Sequence, residues 1–325
     1  MDVAELGVVW LPREIDTAVE IARVADREGF AALGIVDSPV LYDELYPTIT
    51  ACLLATERIR VGPNVTNAVT RHWSIHASSA RTFERLAPGR FILGLGPGDG
   101  AVHGLGLAPM KTEALEESAM AIRAASHVLD LHLAIGGPRR AALAGRVADA
   151  MIVGTGLDRA TIRGMIEAAS EGRAATGRPG ETPAVWGLAS THVVERAQDV
   201  ERARAAILPM AIANARFALS ATFAGKHVPE ELQPLLRERL RRYDHATHGR
   251  ETDANPNAAL FADLPEVEDY VLNRFAIVGT PDECRRRVEE LLAFGLDGLW
   301  LTMVVPDPVE HLELAADTFR PLLHR

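Results

Sequence analysis

The sequence predicts an α/β protein of the (β/α)8 TIM-barrel class. Short apolar runs alternate with helical stripes along almost the whole chain, with eight strand-like runs in all. Those runs are apolar throughout rather than alternating, as parallel strands are when both faces are covered. The 325 residues contain no linker or low-complexity segment and suit one barrel of this class, read as a single domain over 1–325.

The elements follow in order. "ELGVVW" (5–10) is the first strand, and Ile15, Ala18, Val19, Ala22 and Ala25 make a helical stripe over 14–29. "AALGIV" (31–36) precedes a helix near 46–56, and "RIRVGPNV" (58–65) precedes one near 73–87 that stops at Pro88-Gly89. "RFILGLG" (90–96) leads to a helix through Leu115, Ala119, Ile122 and Leu129. "LHLAIGG" (131–137) and "DAMIVG" (149–154) are strands five and six, with helices over 139–147 and 158–176. "AVWGLASTHVV" (184–194) is strand seven. A helix over 281–294, "GLWLTMVV" (298–305) as strand eight and a helix over 309–323 close the chain. Residues 200–266 break the rhythm with helical patterns and a polar stretch, "HATHGRETDANPN" (245–257). They predict a helical insertion between strand seven and its helix, on the side where barrels build their sites.

Composition removes several classes. A net charge of −10 argues against general nucleic-acid binding. No apolar run approaches a membrane span, and the start "MDVAELGVVW" has neither a basic head nor an apolar signal core, so the expectation is a cytoplasmic protein. Cys52 and Cys284 are isolated, which predicts reduced core thiols and no metal site.

Chemistry in a barrel comes from the loops after strand C-termini. Here those positions are Trp10 and Leu11; Asp37 and Ser38; Asn64, Val65 and Thr66; Gly96 to Asp99; Gly136 to Arg140; Gly154 and Thr155; His192; and Met303 to Pro306. The set lacks the His and Asp ligands of a metal hydrolase and a G-x-S-x-G nucleophile. Neither of the two lysines, Lys111 and Lys226, ends a strand, so a Schiff base is not expected. Few reactive side chains and many glycines predict a cofactor enzyme, in which the protein orients a group that carries the hard step.

Two glycine loops compete for an anion. "GLGPGDGA" fits the dinucleotide spacing through Gly96, Gly98 and Ala101. Yet further glycines and a proline follow before any helical stripe, and no strand ends in an acid twenty residues on, which argues against a dinucleotide site. "IGGPRR" (135–140) precedes a helix starting near Pro138, whose backbone N–H groups favour an anion, with Arg139 and Arg140 alongside.

The stretches "AVEIARVADREGFAALGIVDSP" (18–39), "TERIRVGPNVTNAVTRHWSIHASSARTFERLAPGRFILGLGPGD" (56–99), "LHLAIGGPRRAALAGRVADAMIVG" (131–154) and "VGTPDECRRRVEELLAFGLDGLWLT" (278–302) resemble the luciferase-like monooxygenase superfamily. The branch they look most like uses the deazaflavin F420, as methylenetetrahydromethanopterin reductases do. The resemblance implies a cofactor at the C-terminal mouth. Asp37 and Ser38 would lie near its ring, and Asn64–Val65–Thr66 would form a bulge carrying a non-proline cis peptide behind it. Gly96, Pro97, Gly98, Asp99 and Val102 would border ring and ribityl chain, and Gly136, Gly137, Pro138, Arg139 and Arg140 would hold the phosphate. It also implies a homodimer.

The residues leave several roles open. Asp37, Asp99 and His72 are the candidate catalytic groups, with capping of the next turn, a solvated turn, and packing or capping at the barrel mouth as their plain alternatives. Trp10 and His192 are candidate substrate contacts. The expected activity is hydride transfer between deazaflavin C5 and a C=N, C=C or C=O carbon. The alternatives are an FMN-dependent monooxygenase and a barrel that binds a flavin, or nothing, without catalysis. Against the family pattern, "AASHVLDLHLAIGG" runs almost directly into strand five, so a usual wall of the pocket is missing.

Overall fold

The computed structural model describes residues 5–126, 129–177, 182–244, 255–303 and 305–323. Its strands are β1 (Glu5–Trp10), β2 (Ala32–Ile35), β3 (Arg60–Pro63), β4 (Ile92–Leu95), β5 (Asp130–Ile135), β6 (Ala150–Val153), β7 (Ala184–Val193), β8 (Ala276–Gly279) and β9 (Gly298–Thr302). All register pairs are parallel, in the order β3-β2-β1-β9-β7-β6-β5-β4. Parallel bridges Val61↔Phe91 and Thr66↔Leu95 join β3 to β4 and all but close the ring. The fold is thus the expected barrel of eight strands, and β8 is an addition to it. This four-residue strand pairs with Ser190–Val193 at the end of β7. Its run is too short to stand out beside the helix before it.

The helices are α1 (Ile15–Glu28), α2 (Leu45–Leu54), α3 (Trp73–Leu86), α4 (Asp99–His103), α5 (Thr112–Ala125), α6 (Pro138–Val147), α7 (Arg159–Ala174), α8 (Val200–Leu219), α9 (Gln233–Leu240), α10 (Pro265–Phe275), α11 (Pro281–Ala293) and α12 (Pro308–Phe319). Helices α8, α9 and α10 lie between β7 and β8 and build an apolar cluster of their own around Ile212, Leu236, Phe261 and Phe275. The helical segment therefore runs on to Phe275, past the expected end at 266. The polar stretch 245–254 falls outside the described residues.

Strand alternation sorts the core into two layers. Leu6 and Val8 pack outward against the helices with Leu33, Leu93, Leu133 and Val153. Val9, Ala32, Ile92, Ile152, Trp186 and Trp300 fill the barrel. The inner layer is graded from floor to mouth. At the N-terminal floor the Trp186 and Trp300 rings pack with centroids 4.9 Å apart. They fit because Gly298 and Gly7 face them: a Cβ there would lie 2.6 Å from each ring. Arg60 bridges Glu5 and Asp130 around the same end. Toward the C-terminal mouth the inward positions become glycine, at Gly34, Gly94, Gly96, Gly136 and Gly154. The barrel is plugged by tryptophans at one end and lined by glycine at the other, so close approach to the inner backbone is left to the C-terminal end.

Candidate functional site

The mouth is organised around the turn after β3. The Asn64–Val65 peptide bond is cis. The glycines of the neighbouring strands make room for it. A Cβ on Gly34 would lie 2.5 Å from the Asn64 Cβ, and one on Gly96 would lie 2.7 Å from a Val65 methyl. One on Gly94 would run into the carbonyl of Pro63. Farther round, crowding disappears. A Cβ at Gly154 would meet only Leu188, 4.0 Å away, and one at Gly136 only the Arg140 Nη1, 3.3 Å away.

Asp37 is buried and its carboxylate is engaged. Thr66 Oγ1 and Arg71 Nη1 each donate to its Oδ2 at 2.6 Å. Arg71 also reaches Glu44, donating from Nε at 3.0 Å. Burial opposes the Arg71 charge, but Asp37 and Glu44 outweigh it and hold the guanidinium above its ordinary value. Asp37 thus works as an anchor for the β3 turn rather than as a free acid or base. Ser38 turns the chain, its carbonyl accepting from the N–H groups of Leu41 and Tyr42.

Behind the turn stands a second buried network. Asn67 Oδ1 accepts from the backbone of Val69 and Thr70 at 3.0 and 2.8 Å. The His76 ring bridges the Asn67 carbonyl and the Tyr46 hydroxyl. Burial holds His76 below its ordinary value and Tyr46 above its own, so both are neutral braces near pH 7. The amide nitrogens of Asn64 and Asn67 are buried and have no partner among the described residues. So are Thr155 Oγ1, after β6, and His192 Nδ1, near the end of β7. An unmet buried donor costs about 1–3 kcal/mol, so a row of them along one rim argues that something else completes it. Unpaired atoms of His132 and Trp300 also occur in the barrel, outside this rim.

The loop after β4 takes a form the glycine spacing did not suggest. Gly98 is left-handed at φ 87° and opens at once into the short helix α4. Pro97 accepts from Met110 N, and Val102 is fully buried beneath Gly98. Asp99 is half-exposed and pairs with His103 at 3.0 Å.

The loop after β5 is the cationic end. Gly137, at φ 155°, precedes α6, which starts at Pro138. The two arginines part company. Arg139 is exposed and pairs with Glu113 at 3.0 Å. Arg140 is half-buried; burial lowers its pKa while Asp99 pulls the other way. From the helical segment, Lys226 arrives beside Gly137, its Cε 3.4 Å from where a Cβ would stand. Lys226 is 2% exposed, and burial, then Arg140 and Arg274, push it down to about 8. Arg274 pins the segment to the rim, donating to the carbonyls of Thr155 (2.9 Å) and Lys226 (2.6 Å) and pairing with Asp158 (2.9 Å).

The other three candidate site residues are Trp10, His72 and His192. Trp10 shares the outward face of Leu6 and Val8 and packs against the strand–helix layer, so alternation turns its ring away from the barrel interior. His72 is exposed and caps α3, its Nδ1 accepting from Ser74 N at 3.3 Å. His192 packs edge-on against His311 of α12, with ring centroids 5.0 Å apart. Arg71, Asn67, Lys226 and Arg274 were not anticipated. Arg71 had one signal, its place seven residues beyond Asn64 in the same turn. Lys226 and Arg274 are distant in sequence from every strand end they serve.

A hollow of about 540 Å3 between α5, α6 and α7 is lined by Glu116, Arg123, Arg146 and Asp149. It opens on the N-terminal side of the sheet, away from all of these groups. Among the described residues no cluster could hold a metal ion, and no helix is long and apolar enough to cross a membrane.

The family model for luciferase-like monooxygenases matches residues 5–126 and 122–298. The chain belongs to that family. As a luciferase-like protein it is an oxidoreductase. It is 26% identical over 318 residues to a 5,10-methylenetetrahydromethanopterin reductase of Methanolobus tindarius, covering 89% of this chain and 91% of the relative. In fold, this luciferase-like chain overlays the coenzyme F420-dependent tetrahydromethanopterin reductase of Methanopyrus kandleri over all of both chains, with a TM-score of 0.79 at 19% identity. It overlays an F420-dependent secondary alcohol dehydrogenase, solved with an F420–acetone adduct, with a TM-score of 0.74 at 16% identity, over 99% of this chain and 100% of that one.

Proposed function

We propose that the chain is an F420-dependent oxidoreductase that moves a hydride between the deazaflavin C5 and a C=N, C=C or C=O carbon of a small organic substrate. The observation that carries the proposal is the glycine-lined barrel mouth, which combines the unpaired Asn64 and Asn67 amides with a cationic loop at Gly136–Arg140 that opens a helix. That combination suits a planar heterocycle with a phosphate tail. The likeness in sequence to a methylenetetrahydromethanopterin reductase supports the same choice.

When bound, a deazaflavin supplies two-electron hydride chemistry at C5. The chain's part is to position it. Val65, partly buried against the inner core, offers an apolar backing, and the Asn64 and Asn67 amides are free to donate to ring acceptors. The first turn of α6 and Arg140 would hold the phosphate, where unpaired N–H groups and positive charge coincide. Gly98 would border the cofactor on the β4 side, with Val102 packed beneath it. Asp37 is committed to Arg71 and Thr66, so proton handling passes to Asp99, the mouth carboxylate that solvent reaches.

Titrating the purified protein with F420 and with FMN, followed by absorbance and fluorescence, tests the assignment. Saturable binding of F420 is expected. Binding of FMN alone would overturn the cofactor, and binding of neither would overturn the enzyme.

A further inference from the structure

We propose that Lys226, delivered by the helical segment between β7 and β8, reads the charge of the phosphate held at the Gly136–Gly137 loop. The inference rests on the reading of the mouth as a flavin-type site, and it gives the helical segment a part in that site.

Four observations carry it. The first is position. Gly225 packs on Pro138, where a Cβ would lie 2.5 Å from the ring, and Lys226 Cε stands beside Gly137. The segment is therefore seated on the first turn of α6. The second is charge. Lys226 has no carboxylate in ion-pair range among the described residues, and its nearest charged neighbours, Arg140 and Arg274, are cations. Arg274 is neutralised by Asp158, but Arg140 makes no ion pair among the described residues. Two positive charges thus meet the positive end of a helix, and the anion that acts on them is Asp99, which pulls on Arg140 and is itself paired with His103. A lysine buried this way is unfavourable unless a ligand completes it.

The third is capacity. The Lys226 ammonium donates to the Ala218 carbonyl, and two of its three N–H groups remain to be used. The fourth is the backbone. The Lys226 carbonyl accepts from Thr161 Oγ1 at 2.9 Å and Arg274 Nη2 at 2.6 Å, which fixes the main chain whatever the side chain does. The chain turns there through Gly225 at φ 68° and His227 at φ 49°, the one non-glycine residue with positive φ among those described. Such a conformation is retained where surrounding contacts enforce it.

The test compares phosphorylated and phosphate-free ligand pairs: F420 against its phosphate-free deazaflavin riboside, and FMN against riboflavin. Dissociation constants are measured for the native protein, Lys226→Gln and Lys226→Arg. Lys226→Gln keeps a donor for Ala218 but loses the charge. It should weaken the phosphorylated ligand about ten- to hundredfold, the worth of one charge-assisted hydrogen bond. It should leave the phosphate-free ligand unchanged, and Lys226→Arg should recover much of the loss. The thermal midpoint of ligand-free Lys226→Gln should equal or exceed that of the native protein, because an uncompensated buried charge is gone. Equal weakening of both members of a pair, no weakening of either, or a fall in the midpoint would each overturn the inference. If the native protein prefers FMN, the F420 assignment falls while Lys226 is judged on the FMN–riboflavin pair. If it binds neither pair, both fall.

Discussion

Replacing Arg71 with methionine isolates what holds the β3 turn. The Asp37 side chain is 2% exposed and that of Arg71 13%. Removing the guanidinium leaves a carboxylate in the interior with only the Thr66 hydroxyl to satisfy it. Breaking a buried pair from one side costs about 3–5 kcal/mol. Arg71 retains some solvent contact, so the lower end, about 3 kcal/mol, is expected for Arg71→Met in urea denaturation at pH 7. Asp37→Asn leaves Arg71 paired with Glu44 and should cost only about 1–2 kcal/mol. If the two residues act as a pair, the double variant should be little worse than Arg71→Met alone, a coupling of about 1–2 kcal/mol. Thr66 lies next to Val65, so Arg71→Met should also weaken cofactor binding. A coupling below about 0.5 kcal/mol would refute the reasoning, since it would mean that Asp37 is not held by Arg71.

Two further outcomes follow from the same geometry. Gly96→Ala drives a methyl to 2.7 Å from Val65 and should destabilise by about 1–3 kcal/mol, while Val65→Ala in the same chain should recover part of it by removing the obstructing methyl. His311 is held neutral by burial and by His192, which push it from 6.5 down to about 4. The unfolded chain then binds more protons between those pH values. His311 thus removes stability as pH falls from about 6.5 to 4, by about 3–4 kcal/mol at most. The acid limb of the stability curve should flatten in His311→Gln, measured by denaturant midpoints across that range.

Much of the barrel was legible because its signals are local. "ELGVVW" is β1 to the residue, and Pro138 at the head of α6 marks a helix start by its own stereochemistry. The glycines of β2 and β4 were visible as letters, but their purpose was not. Only the fold shows that Gly34, Gly94 and Gly96 clear space for Asn64–Val65, while Gly136 and Gly154 are little crowded. Trp10 was misplaced because a strand end looks the same in sequence whichever face its last side chain takes. Its parity with Leu6 and Val8, once the layers are known, sends it outward.

The sequence by itself determined the periodicities, and with them the order of strands and helices, the end of the barrel that bears loops, and the anion-favouring turn at "GGPRR". Those depend on contacts within a few residues of one another. The pairing of Asp37 with Arg71, the separation of Arg139 from Arg140, and the arrival of Lys226 at Gly137 were decided by tertiary structure alone. Lys226 lies 89 residues from Gly137 along the chain. What brings it there is the packing of Gly225 on Pro138 and the grip of Arg274 on two carbonyls, and no local pattern encodes a meeting of that kind.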